Sequence, residues 1–467
     1  MKKYSLIFLL WIIAAVFIFA QNPVSVFIDN PLLQNANVSL KIMDLASGKT
    51  VCEYRPCNAA IPASTLKLIT TATALELLGA DFRFKTRLEI DAEITADGVV
   101  NGNLYIRGSG DPTLGSRHTG DSAFLDKWAK ALKDLDIKRI NGKVIADASI
   151  FDAEGVNPRW IWQDIGNYYA PAIYGISYLD NTCELIFRSG ATGTTPEIIE
   201  IKPNLPEISF DNHLKSTTIT FDSAYIYGAP RSTHRSIYGA IPANRARFTV
   251  KGDIPNPDEL LARRLTEKLL TSGIAVSGQQ IAAGAKLTSL YTHRSPPLSE
   301  IITQINVRSN NHYAEQLFRY LGSGDSRTST SNAAIQRIKS FWRSKGLPVE
   351  QLFISDGSGL SPTNAVSAAF FVELLAYMQI RSGNAAVFKA SLPVAGESGT
   401  IAGVLKNTAL QGKVRAKSGS IEGVRAYAGY IDTDSKNYVF AVAVNNANGK
   451  SSQVVKKIEE LLLNITK

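Results

Sequence analysis

What the chain lacks narrows the field before any motif is considered. Only three cysteines, Cys52, Cys57 and Cys183, occur in 467 residues. That is too few for a disulfide-built scaffold, and an odd count leaves at least one thiol unpaired or bonded outside the chain. Cys52 and Cys57 are spaced either to close a short loop or to stay reduced, and geometry decides between the two. The five histidines, His118, His213, His234, His293 and His312, are dispersed, with no HExxH, HxH or CxxC pattern. No metal site and no cofactor is therefore expected. The absence of GxSxG excludes hydrolases built on a nucleophile elbow. Gly108-Ser109-Gly110-Asp111-Pro112 lacks the spacing of a phosphate loop and reads as a tight turn. The formal charge of +9 is scattered, with no dense Lys/Arg block interleaved with aromatics, so nucleic acid is a poor partner. After the first twenty residues, no apolar run approaches the ~20 residues needed to span a bilayer.

What is present describes an ordinary globular protein, 45% hydrophobic and 19% charged, long enough for roughly three domains. Lys2 and Lys3 precede an apolar run from Leu6 to Phe19 that ends at Ala20-Gln21. This reads as a secretory signal over residues 1–20, with an uncleaved anchor as the alternative because Ile18 fits the small-residue rule poorly. No cysteine follows, so a lipoprotein signal is not expected. The mature protein is expected outside the cytoplasm, periplasmic or otherwise extracytoplasmic, with no stable membrane span.

Two alternating runs flank Ala46-Ser47-Gly48-Lys49 and predict a β-hairpin. An apolar helix follows, carrying Ser64 and Lys67 and ending near Gly79. From about residue 81 to 290 the texture is mostly strand-like, with helical stretches such as 120–135. Helices return from 297 to 380. "KVRAKSG", "RAYAGYID" and "YVFAVAVNN" then read as an antiparallel meander, closed by a helix over "SSQVVKKIEELLL". The simplest assembly places the first hairpin beside the last three strands in one sheet, with the terminal helix on one face. Residues 21–80 and 291–467 then form one domain, interrupted by an 81–290 insertion.

Ser64-Thr65-Leu66-Lys67 puts a hydroxyl and an amine one helical turn apart. A buried lysine is costly unless it is paired or deprotonated. A neutral amine so placed can take the proton of the hydroxyl, and a helix start favours developing negative charge. Taken alone, the same pattern describes an N-cap serine and a lysine snorkelling to the surface. Lys417-Ser418-Gly419 lies in a strand that can offer a cation and a hydroxyl to a carboxylate, with a glycine admitting close approach. The main-chain N–H groups of Ser420 and Ser64 can form an oxyanion hole. Ser-x-Asn occurs three times, at Ser309-Asn310-Asn311, Ser382-Gly383-Asn384 and Ser435-Lys436-Asn437. Only the first stands between two helical segments, and it is the one selected.

Taken in order, Ser64–Lys67, Ser309–Asn311 and Lys417–Gly419 resemble the three motifs of penicillin-recognising serine enzymes. "IPASTLKLIT", "LYIRGSGDPTLG", "NNHYAEQLF", "SDGSGLSPTN" and "SLPVAGESGTI" extend the likeness. They are similar to the D-alanyl-D-alanine carboxypeptidase/endopeptidases among class C low-molecular-mass penicillin-binding proteins. The resemblance implies an α+β fold. Its catalytic domain would be penicillin-binding/β-lactamase-like, an antiparallel sheet with helices on both faces, and a large mostly-β insertion would form one or two extra domains. It implies hydrolysis of peptidoglycan stem peptides through an acyl-enzyme, and recognition of β-lactams. By that likeness Ser64 is the nucleophile and Lys67 its base. Ser309 relays a proton to the leaving group, Asn311 binds the substrate amide, Lys417 sustains the electrostatics and Ser418 holds the terminal carboxylate. Serine at 418 stands where the family usually has threonine, and Pro362 where arginine is common. Two alternatives remain, a serine β-lactamase and a catalytically silent cell-wall binding protein of the same fold. Glu460-Leu461-Leu462-Leu463-Asn464 matches the ExxLN pattern of one β-lactamase class but follows the lysine strand, so it reads as a chance match.

Overall fold

The computed structural model describes residues 22–466 except 120, 285 and 325–327. The predicted secretory segment lies outside the described residues. The organising element is a five-stranded antiparallel sheet in the order Thr50–Tyr54, Asn37–Asp44, Asn437–Asn445, Val424–Asp432, Val414–Ile421. The first hairpin thus pairs with the end of the chain. Its turn is closed by the Asp44 carboxylate, which accepts from the Ser47 N–H at 2.8 Å, the usual Asx-turn device.

The central strand, Asn437–Asn445, is buried along nearly its whole length because both of its faces are covered. Phe440, Val442 and Val444 pack with Val454, Ile458, Leu461 and Leu462 of the terminal helix Ser451–Ile465. Val439 and Ala441 belong to a second core with Phe370, Leu374 and Leu375 of the helix Ala368–Ile380. That second core also takes in the helix Lys67–Leu78, in which every residue from Lys67 to Leu75 is buried. A helix apolar all round is stable only in the middle of a domain. The strand Val414–Ile421 forms one edge of the sheet and packs against the turn that precedes that helix.

Between these segments the chain builds a separate apolar cluster that draws on residues from Leu88 to Ile274. The strand Lys85–Ile90 leaves the sheet region, and Thr288–Arg294 returns antiparallel beside it, so entry and exit lie together. Small sheets fill the interval, with the helices Phe124–Asp134 and Pro257–Thr271 packed over them. Five of the pairings among the described residues are parallel, among them Leu104–Arg107 with Val144–Asp147 and Ser209–Asn212 with His234–Tyr238. The turn at Gly108–Pro112 is buried, not superficial, and a side chain at Gly110 would strike Phe151. All three cysteines are free thiols, so the Cys52–Cys57 loop is not closed.

Candidate active site

Ser64 lies not on the helix proper but in the 3-10 turn Ala63–Leu66, and the α-helix starts at Lys67. In a 3-10 turn residues three apart eclipse one another, so the hydroxyl and the amine still share a side. The turn is tightly held. Ala63 has φ 45°, in the left-handed region. The residue packed on it is Gly359, where a Cβ would come within 1.9 Å of the Ala63 carbonyl oxygen.

Lys67 has no exposed surface. Its Nζ lies 2.8 Å from Ser64 Oγ, 2.7 Å from Asn311 Oδ1 and 2.7 Å from the Ser358 carbonyl oxygen. The last two are acceptors only. A neutral amine has two N–H groups and one lone pair. Donating to Asn311 and Ser358 consumes both hydrogens and turns the lone pair to the serine hydroxyl. Burial pushes this amine down to about 7, against the opposing pull of the Glu315 and Asp356 carboxyls. Both the geometry and the proton affinity suit a general base.

The second amine, Lys417, is equally buried. Its Nζ donates to Ser309 Oγ at 3.0 Å and to the Ser418 carbonyl at 2.8 Å. Burial lowers its proton affinity well below the ordinary lysine value, and the neighbouring Lys67 charge lowers it further. Ser309 ends the helix Leu298–Arg308 in the left-handed conformation, φ 57°. Asn310 then caps the helix Asn311–Leu321 by accepting from the Tyr313 N–H. That two-helix corner presents Ser309 and Asn311 side by side. Since Ser309 Oγ accepts from Lys417, its own proton is free to be donated. Asn311 Nδ2 donates to the Tyr169 carbonyl at 2.8 Å, leaving its second N–H without a partner among the described residues.

The Ser418 hydroxyl donates to Thr400 Oγ1 at 2.7 Å. At Gly419 a Cβ would lie 2.3 Å from the Pro62 carbonyl oxygen and 3.2 Å from the Ser64 nitrogen. Only glycine lets the strand approach the serine turn this closely. The Ser420 side chain is exposed and accepts from Arg425, so only its main chain is left for the cleft. The structure thus groups Ser64, Lys67 and Asn311 about one amine, and Ser309 with Ser418 about the other.

The other two Ser-x-Asn copies are elsewhere. Ser382 and Asn384 bind Glu76 beside the end of the Lys67–Leu78 helix, and Ser435 lies in the exposed turn between two sheet strands. Glu460 sits on the terminal helix, paired with Lys457 at 2.7 Å. Among the described residues there is no cluster of His, Cys, Asp and Glu able to hold a metal.

Sequence reasoning missed the residues that aim the base. Glu315, one turn beyond Asn311, is buried, and its Oε1 accepts from the Gly357 and Ser358 N–H groups at 3.0 and 2.6 Å. Burial, with the Asp356 charge next, pushes this carboxyl up. Asp356 accepts from the Gly359 and Ser361 N–H groups, from Asn364 and from the Trp160 indole. Together the two acids fold the 355–364 loop so that the Ser358 carbonyl meets Lys67. The clue available was the loop's density of Asp, Ser and Gly, which marks a turn that bonds to itself. Thr400 and Tyr169 carried no local signal.

Residues 20–465 match the model of the D-Ala-D-Ala carboxypeptidase 3 (S13) family. The chain is 28% identical to a D-alanyl-D-alanine carboxypeptidase of Actinomadura sp., over 93% of this chain and 82% of that one. It is 26% identical to the D-alanyl-D-alanine carboxypeptidase DacB of Haemophilus influenzae, over 86% and 83%. Among solved structures, penicillin binding protein 4 of Haemophilus influenzae superposes with a TM-score of 0.80, covering 94% of this chain and 98% of that one at 23% identity.

Proposed function

The chain belongs to the D-Ala-D-Ala carboxypeptidase 3 (S13) family, and on that premise we propose that Ser64 is the residue acylated during turnover, with Lys67 as its base. The protein is a serine-type D-Ala-D-Ala carboxypeptidase, a hydrolase with a penicillin-binding-protein fold. The observation that carries the Ser64 assignment is the Lys67 amine, buried, held by two pure acceptors and 2.8 Å from the serine oxygen.

The chemistry follows from those contacts. A D-alanyl-D-alanine terminus lies with its carboxylate at Ser418 and Thr400, and its penultimate amide carbonyl takes the free N–H of Asn311. Ser64 attacks the scissile carbonyl and passes its proton to Lys67. The main-chain N–H groups of Ser64 and Ser420 hold the oxyanion. The C–N bond then breaks as the leaving nitrogen takes the Ser309 proton, which is replaced through Lys417 by the proton that Lys67 took from Ser64, leaving Lys67 neutral again. Water next attacks the ester, giving up a proton to Lys67, and Ser64 departs with its hydroxyl restored. The net reaction is amide plus water to acid plus amine. Lys417 holds Ser309 in place by donating to its hydroxyl.

The same reading divides the chain into a catalytic domain of residues 21–80 and 291–467 and an insertion of 81–290. Residues 1–20 serve as the export signal, the working site is the periplasm or another extracytoplasmic space, and the substrates are peptidoglycan stem peptides. Haemophilus influenzae penicillin binding protein 4 has been crystallised in complex with a β-lactam, which supports β-lactams as covalent ligands here. Labelling with fluorescent penicillin tests the assignment. A slowly released adduct at Ser64, absent from folded Ser64→Ala, is expected. An adduct on another residue refutes the nucleophile, and rapid release favours a β-lactamase.

A further inference from the structure

The insertion carries an aromatic surface that the chemistry at Ser64 does not use. Among the described residues five Phe, Tyr and Trp side chains are exposed, and four of them, Trp162, Tyr168, Phe221 and Tyr238, fall within residues 162–238. Scattered apolar side chains need no account, but a gathered set marks an interaction surface. Trp162 is 57% exposed and Tyr238 49%.

A small sheet sets the arrangement. Its strands run in the order Ser209–Asn212, His234–Tyr238, Tyr225–Tyr227. Ile226 and Ile237 are buried in the core of the insertion, so by alternation Tyr225, Tyr227, Ser236 and Tyr238 point outward. Tyr225 stands directly opposite Tyr238, and Tyr227 opposite Ser236. The Tyr227 ring lies 5.9 Å from that of Tyr238 and 6.1 Å from that of Trp162, and His213 stacks on Tyr238 at 4.6 Å. Trp162, Tyr227, Tyr238 and His213 thus form one continuous row. Its polar handles are unspent. The hydroxyls of Tyr225, Tyr227 and Tyr238 and the Trp162 indole N–H make no hydrogen bond among the described residues. The charged groups at the outward positions of these strands, Asp211 and His234, pair with each other at 2.9 Å, so the face favours neither anion nor cation.

The row is joined to the active site. A groove of about 430 Å³ is lined by Tyr168, Tyr169 and Tyr225, with Asp222 and Lys251. Tyr169 accepts from Asn311 through its carbonyl, and Tyr225 belongs to the aromatic sheet.

We infer that this face binds the glycan strand of peptidoglycan, with sugar rings lying on Trp162, Tyr227 and Tyr238. The inference rests on the stem-peptide reading of the Ser64 site and names the surface that holds the rest of that substrate. A stem peptide in the cleft is tethered to a polysaccharide, which stays outside and runs over the surface beside the cleft. A pyranose ring offers C–H groups on its faces and hydroxyls around its edge. Flat aromatic faces take the first, and Tyr O–H, Trp N–H and Ser236 take the second. A protein partner calls for an apolar centre depleted of charge, and a lipid headgroup for surplus cations. Here Ser236, Asp211 and His234 interleave with the rings, and the charges cancel.

The test compares wild type with the Trp162→Ala/Tyr238→Ala double variant on two substrates bearing the same D-Ala-D-Ala pentapeptide, one free and one carried on un-cross-linked glycan strands. In wild type kcat/KM on the strands should exceed that on the free peptide. In the variant it should fall on the order of tenfold, through KM, with the free peptide unaffected. Trp162→Phe, which keeps a ring, should retain most of the wild-type value. By calorimetry, strands stripped of their peptides should bind wild type, and bind it equally at low and high salt because the face is neutral. Equal kcat/KM on strands in wild type and double variant overturns the inference. So does a wild type that does not bind the stripped strands, or binds them only at low salt. Penicillin labelling separates the two levels. Normal labelling of Ser64 in both proteins with unchanged kcat/KM on strands removes only the glycan surface, whereas an unlabelled wild type removes the reading beneath it.

Discussion

Lys67→Met isolates the central physical claim because it keeps the bulk of the side chain and deletes its nitrogen. In the wild type the amine titrates at about 7 when folded, against about 10.4 in an open chain. Two consequences follow, one kinetic and one thermodynamic. If the neutral amine takes the Ser64 proton, acylation by penicillin should climb about tenfold between pH 6 and pH 8 and then level off. Lys67→Met should acylate several orders of magnitude more slowly and lose that limb. For stability, the folded amine binds its proton more weakly than the unfolded one. Between pH 7 and 10 the unfolded state therefore carries more protons, and wild-type stability rises with pH. The burial penalty is fully present below pH 7, on the order of 5 kcal/mol, and is gone above the unfolded value. Methionine removes that penalty but strands Asn311 Oδ1 and the Ser358 carbonyl, each at about 1–3 kcal/mol. The variant should thus lie within roughly 3 kcal/mol of wild type at pH 7, and the gap should move in favour of wild type as pH rises to 10. Stopped-flow acylation and urea unfolding across pH supply both curves. A flat acylation rate from pH 6 to 8, or near-wild-type acylation by Lys67→Met, would refute the argument.

Three further outcomes follow from the contacts. Gly419→Ala places a methyl 2.3 Å from the Pro62 carbonyl; the strand must retreat from the serine turn, and penicillin acylation should drop at least a hundredfold while the melting temperature moves little. Glu315→Ala leaves the buried Gly357 and Ser358 N–H groups without their acceptor. It should cost about 2–5 kcal/mol in urea unfolding and slow acylation as the Ser358 carbonyl drifts from Lys67, with Glu315→Gln recovering much of both. In the insertion, Arg235 and Asp253 form an ion pair at 3.1 Å with side chains 2% and 5% exposed. Arg235→Ala should destabilise by about 3–5 kcal/mol because Asp253 is left charged and buried, and a calorimetric scan showing no loss would contradict that.

Legibility differed between the parts of the molecule. The apolar helix from Lys67, the opening hairpin and the closing meander could be read because each is announced within a short window by periodicity and turn residues. Their joining into one sheet followed from having complementary unfinished edges. The insertion was legible only as strand-rich texture. Its strands are short, and some pair in parallel across long intervals, as Leu104–Arg107 does with Val144–Asp147, a register no local turn specifies. The placement of Ser64 in a 3-10 turn, one step before the helix, was likewise invisible, since boundary positions depend on what packs against them, here Gly359.

By itself the sequence determined which groups were on offer: a serine three residues from a lysine at the head of an apolar segment, a Ser-x-Asn between two helices, and a Lys-Ser-Gly in a strand. Local spacing is encoded in neighbouring residues, so it survives without a fold. The proton affinity of Lys67 is a different kind of property. It depends on burial by a core assembled from distant segments, on Asn311 lying 244 residues along the chain, and on a loop carbonyl aimed by Glu315. The aromatic row on the insertion belongs to the same kind, since Trp162, Tyr227, Tyr238 and His213 share no local pattern. Charge and dielectric act through space and not along the chain, and only the tertiary structure sets those distances.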